Sequence, residues 1–144
     1  MRYLKDIEQE IITGLIGGVV RIKQDRVQRH KMPPDPEVPM TAVRLNKSSR
    51  GIPEVLCYYF VQPGIQMRFV AAWDVLELVP AEPPISRAPI DAPKRDSAVV
   101  LKSGGPTMVV RDVSSHGISC WWPGRAVTFP PSSLFPAIAL RFVK

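Results

Sequence analysis

AVVLKSGGPTMVVRDVSSHGISCWWPGRAVTFPPSSL, residues 98–134, decides the architecture of this chain. Gly104-Gly105-Pro106, the turn 114–117 and Pro123-Gly124 divide it into four mostly apolar runs. Such breakers separate short antiparallel strands, and together the runs describe a small β-barrel.

Working outward, an earlier stretch repeats it in the same order. VVRIK (19–23) answers VVLKS (99–103), and PMTAVR (39–44) answers PTMVVR (106–111). SSRG (48–51) then answers SSHG (114–117), VLCYY (55–59) answers ISCWW (118–122), and a Phe-led turn closes each copy. Two tandem copies of one barrel are therefore expected, the first over 1–79 and the second over 95–144. Residues 80–94 carry prolines at 80, 83, 84, 89 and 93, the composition of a stiff extended linker. The copies differ in one loop. Fifteen residues (24–38) follow the first strand of the first copy, whereas three (103–105) do so in the second.

The run Leu101-Lys102-Ser103-Gly104-Gly105-Pro106, then Met108, Cys120-Trp121, Thr128-Phe129-Pro130 and Ser133-Leu134 resembles the YodC-like family of small bacterial proteins. The resemblance covers about the last third of the chain. It implies an SH3-like barrel and brings no established catalytic residues with it. The fold expected is thus all-β: two SH3-like barrels and a short N-terminal helix. Leu4, Ile7 and Ile11 fall at helical spacing over residues 3–12, ended by Thr13-Gly14 and Gly17-Gly18. The remaining strands expected are 18–23, 39–45, 55–61, 65–69 and 75–79, with a hairpin at Gln62-Pro63-Gly64 and a turn over 70–73. A last strand within 135–144 closes the second barrel or pairs with the first.

A single small barrel buries little surface, so two should pack together. With 19 Lys and Arg against 13 Asp and Glu the net charge is +6. It divides into 11 basic and 9 acidic residues up to Val79 (+2), and 8 and 4 beyond it (+4). No basic run stands out. The N-terminus lacks the pattern of a signal peptide, and the apolar segment 11–20 is shorter than the roughly 20 residues a bilayer requires. A cytoplasmic protein that does not engage a membrane is the expectation. Two cysteines are too few for a disulfide framework.

Residues 55–61 are apolar at both odd and even positions, although a half-buried strand should alternate. Something must cover both faces. The plainer reading is that the other copy or a second subunit packs there. The sharper one is an aromatic platform built on Tyr58 and Tyr59. Trp121 and Trp122 point to opposite sides of one strand, so one belongs to a core and the other to a surface, where with Arg125 it could stack a ligand.

The loop 24–38 is the main candidate binding element, since Arg26, Arg29, His30 and Lys31 suit acidic side chains or phosphates. Cys57 and Cys120 hold equivalent positions and read as small buried residues. With only His30 and His116 beside them, neither a zinc site nor any cofactor is expected. Ser114, Ser115 and His116 are consecutive in a turn and cannot form a nucleophile and base pair. The Gly-rich run 102–105 has no helix after it to receive a phosphate and reads as a hairpin.

Residues 64–72, GIQMRFVAA, are similar to the segment lining the central pore of the plasmid-borne, trimethoprim-insensitive dihydrofolate reductases, whose Val-Gln-Ile-Tyr run corresponds to Ile65, Gln66, Met67 and Arg68. Arg68 stands where that family has Tyr. These readings favour a non-enzymatic protein-binding adaptor or inhibitor. Nucleic-acid binding through the basic loop and the aromatic residues is the alternative, and reductase activity the remote one.

Overall fold

The computed structural model describes residues 4–23, 38–47, 53–61, 64–80, 85–123 and 132–143, with side chains from Gln9 onward and excluding that of Lys47. It is mostly β, with two five-stranded antiparallel sheets and one short helix.

Helix α1 spans Leu4–Leu15, ending three residues beyond where the spacing suggested. Gly14 is accommodated in the helix. The stop comes at Gly17, whose φ of 81° is left-handed, while Ile16 and Gly18 donate to the carbonyls of Ile12 and Leu15. Ile12 and Leu15 form the buried stripe, and Ile11 faces solvent. Among the described residues no helix is long and apolar enough to cross a membrane.

The first sheet contains β1 (Val19–Ile22), β2 (Met40–Lys47), β3 (Pro53–Val61), β4 (Ile65–Ala72) and β5 (Leu76–Leu78), in the order β4-β3-β2-β1-β5. The second contains β6 (Ala98–Leu101), β7 (Met108–Ser114), β8 (Gly117–Trp121), β9 (Ser132–Phe135) and β10 (Leu140–Phe142), in the order β9-β8-β7-β6-β10. The two orders are the same. Each sheet has a 3-10 turn before its last strand, Trp73–Val75 and Ala137–Ala139. Each also has a bulge in its second strand, at Val43 and Arg111.

Pairing fixes which residues correspond. Val20 lies opposite Met40 and Leu78, as Val99 lies opposite Met108 and Phe142. Val20 therefore matches Val99, Met40 matches Met108, and Lys23 matches Lys102. The sequence alignment of the first two strand pairs is one residue out, because consecutive valines align β1 and β6 equally well in two registers and aligning Pro39 with Pro106 shifts β2 against β7. VLCYY and ISCWW are correctly matched, with Cys57 opposite Ala42 and Cys120 opposite Val110. SSRG lies outside the described residues.

Two further expectations are corrected. The strand expected to end at Phe69 continues to Ala72, because β3 begins at Pro53 and offers partners as far as the Glu54–Ala72 pair. Nor are the sheets closed barrels: among the described residues β4 and β5 do not pair, and neither do β9 and β10. The openings are filled by other elements. Ile12 and Leu15 of α1 join the core of the first sheet, with Val20, Ile22, Met40, Ala42, Val55, Cys57 and Tyr59. Val43, Leu56 and Tyr58 of the first sheet join the core of the second, with Val99, Leu101, Met108, Val110, Cys120, Trp122 and Phe135.

β3 is thus a wall between two cores. Val55, Cys57 and Tyr59 face one, and Leu56 and Tyr58 the other, with Phe60 packed beside them. This is why the strand is apolar on both faces. The bulge places Val43 on the same outer face, adding one more apolar side chain to the junction. The strand expected within 135–144 is β10, which pairs with β6 in its own sheet.

Residues 85–94 are docked rather than free-standing. The Arg87 guanidinium donates to the Gly14 carbonyl at 2.6 Å, Ile90 donates to the Ala137 carbonyl, and the Ile90 side chain packs on the second core. The buried Lys102 ammonium donates to the carbonyls of Ala88 at 2.8 Å and Gly17 at 3.1 Å. Two cations thus reach the carbonyl end of α1, where the helix dipole is negative. Residues 81–84 lie outside the described part.

Candidate functional site

The two sheets meet along a groove of about 540 Å³. One wall is Val38 and Pro39, entering β2, with Phe60 and Val61, leaving β3, and Gly64 after them. The other is the turn 103–106 between β6 and β7.

Each wall is held by contacts from the opposite half. Gly104 and Gly105 have φ of 105° and 134°, which side-chain-bearing residues rarely adopt, and a Cβ on Gly105 would collide with the Phe60 ring. The bare backbone lets that ring lie against the turn. Phe60 in turn meets Trp122 edge-on, centroids 5.2 Å apart at 86°. The Trp122 indole N–H donates to the Gly64 carbonyl at 2.7 Å, fixing the hairpin end of the groove.

Ser103 is tied to the first sheet. Its backbone N–H donates to Thr41 Oγ1 at 2.9 Å, the Thr41 hydroxyl donates to Ser103 Oγ at 2.8 Å, and that hydroxyl donates to the Tyr58 carbonyl at 3.5 Å. Thr41 is fully buried, so these bonds replace the water it lost. No ionisable side chain lines the groove among the described residues. Its size falls in the range of small-ligand and peptide sites.

The residues singled out in sequence are distributed as follows. Arg26, Arg29, His30, Lys31 and Arg125 lie outside the described residues. Val38, the last residue of the expected binding loop, lines the groove. Tyr58, Tyr59 and Trp122 are buried. Tyr58 meets Phe135 edge-on in the second core, with the Arg68 guanidinium 5.2 Å from its ring centroid, and Tyr59 belongs to the first core. These three rings face packed protein and offer no open stacking platform. Trp121 is half-buried on the outer face of the second sheet, opposite Val109 and Ser132.

Burial also governs the thiols. It pushes Cys57 up to about 12 and Cys120 up to about 11, so both stay protonated at neutral pH. Each Sγ donates weakly to a carbonyl of its own strand, Val55 and Ile118. In the 114–117 turn, the Ser114 hydroxyl accepts from the His116 backbone N–H and donates to the Gly117 carbonyl. Gln66 and Arg68, in the segment similar to the reductase pore, lie on β4, where Gln66 Oε1 accepts from the Ser133 hydroxyl at 3.4 Å.

Sequence reasoning missed Phe60, Gly64 and the turn 103–106 as groove residues. The available signal was the pair Gly104-Gly105, two residues without side chains in one turn, which leave room for a ring to approach the backbone. No family model matches the chain, and no curated protein matches it.

Proposed function

We propose that this chain is a non-catalytic module of two tandem SH3-like sheets that binds a protein partner, as an adaptor or inhibitor, through the groove between its halves. The groove's lining carries this reading. Val38, Pro39, Phe60, Val61 and Pro106 supply apolar surface, the turn 103–105 supplies exposed backbone, and no charge among the described residues must be neutralised. An extended, uncharged peptide segment fits that chemistry better than a phosphate backbone does. Val38, the last residue of the loop 24–38, lines the groove.

The SH3-like assignment is supported by the shared strand order and by the 3-10 turn before each last strand. It agrees with the resemblance of the second half to YodC-like proteins. Packing of Tyr58, Tyr59 and Trp122 favours a protein partner over stacked bases. The local hydrogen bonds of Ser114 and His116 and the high thiol pKa values favour binding over catalysis.

The test is selection of displayed peptides on the intact chain, followed by affinity measurement on Val61→Asp. Uncharged peptides should be enriched and should lose at least tenfold in affinity with the variant. Peptides that bind both proteins equally would place the site elsewhere. Recovery of nucleic acid alone would overturn the reading.

A further inference from the structure

The groove is apolar except at one point. Among the described residues that line it, Ser103 alone carries a polar side chain. Backbone donors on the walls are largely committed: the Gly104 N–H donates to the Leu101 carbonyl at 2.9 Å, the Gly64 N–H to the Val61 carbonyl at 2.8 Å, and the Ser103 N–H to Thr41. Pro39 and Pro106 have no N–H to offer.

Thr41 decides what the Ser103 hydroxyl can do. It stands on β2 opposite Tyr58, whose ring enters the second core, and it is fully buried. Its oxygen accepts from the Ser103 N–H at 2.9 Å, and its own proton goes to Ser103 Oγ at 2.8 Å. A hydroxyl that accepts a proton at that distance must aim its own elsewhere. The acceptor it finds is the Tyr58 carbonyl at 3.5 Å, beyond the roughly 2.5–3.0 Å of an ordinary O–H···O bond. The Ser103 proton is therefore poorly used, while the residue itself is held in place by two bonds with Thr41.

We propose that the Ser103 hydroxyl is the polar anchor of the groove, donating to one backbone carbonyl of the bound peptide and so fixing its register. The inference rests on the groove reading. An extended segment presents a carbonyl at every residue, and apolar walls alone would let it slide. Turning the proton from Tyr58 to that carbonyl exchanges a long bond for one of ordinary length, and Thr41 continues to donate to the same oxygen from behind, which strengthens the new bond. Little ordering is required, because only the proton has to move.

Ester substitution tests it. In a peptide selected on the intact chain, each backbone amide is replaced in turn by an ester, whose carbonyl is the weaker acceptor, and affinity is measured for the unaltered chain and for Ser103→Ala. One position should cost about three- to tenfold on the unaltered chain and nothing on Ser103→Ala. Ser103→Cys replaces the alanine variant should that one fail to fold. Ester effects that are equal on both proteins overturn the proposal, even where Ser103→Ala binds weakly, since the hydroxyl then serves only to hold Thr41. In that case Val61→Asp still reduces affinity and the groove stands. Peptides indifferent to Val61→Asp would remove the groove reading and this inference together.

Discussion

Gly17 and Asp96 occupy the same place in the two halves. Their backbone N–H groups donate to the carbonyls of Ala42 and Val110 at 2.7 and 2.8 Å, and their φ angles are 81° and 74°. One half fills a left-handed position with glycine and the other with aspartate. Gly17→Ala should destabilise the protein by about 1–3 kcal/mol, since the added Cβ meets the Arg87 carbonyl and lies 2.8 Å from Ile138 Cγ1. Asp96→Gly should stabilise it by less than about 1 kcal/mol, because glycine's freedom in the unfolded chain offsets part of the relief. Urea unfolding of both variants measures the pair.

The wall formed by β3 predicts that neighbours on opposite faces matter alike. Leu56→Ala should cost about 2–4 kcal/mol even though it faces away from the first core. A solvent-facing leucine would change stability by less than about 0.5 kcal/mol. Unfolding followed by tryptophan fluorescence should remain one transition, since the face that Leu56 covers belongs to the second sheet.

Alkaline stability follows from the buried groups. Above pH 9 the thiols of the unfolded chain ionise while folded Cys57 and Cys120 hold their protons up to about 12 and about 11. The folded state then binds more protons, and stability falls as pH rises. Burial raises Tyr59 as well, which acts in the same direction. Lys102 acts oppositely: burial lowers its pKa below 10.5, so the unfolded state binds the extra proton as pH climbs toward that value, and stability rises. Two thiols outweigh one amine. Denaturation at about pH 8 and about pH 10 should show a net loss, made shallower by Cys57→Ala/Cys120→Ala and steeper by Lys102→Met.

The groove separates binding from stability. Val61 is exposed at the rim, so Val61→Asp should leave the unfolding midpoint nearly unchanged while reducing partner affinity at least tenfold.

Much of the fold could be read directly from residues. Turn signals located most of the strands, and the correspondence of VLCYY and ISCWW placed Cys57 and Cys120 in matching ladder positions. The apolar character of both faces of 55–61 announced a covered outer face. What local pattern could not supply was register and closure. Val19-Val20 and Val99-Val100 align equally well one residue apart, and only the partners Met40 and Met108 resolve them. Barrel closure depends on what fills the mouth of each sheet, which is α1 in one case and the other sheet in the second. The groove was illegible for the same reason. Phe60 and Gly105 are remote in sequence, and neither carries a pattern of its own.

The nesting of one half in the other sets an order of events during synthesis. The first sheet can form before the second exists, with Val43, Leu56, Tyr58 and Phe60 uncovered. They stay so until the strands up to Leu140–Phe142 leave the ribosome. At roughly 5–20 residues per second that interval lasts several seconds. The nascent N-terminal half therefore has a greasy back while the second half is being made, and a chain interrupted within 80–94 would be a substrate for chaperones rather than a small stable protein.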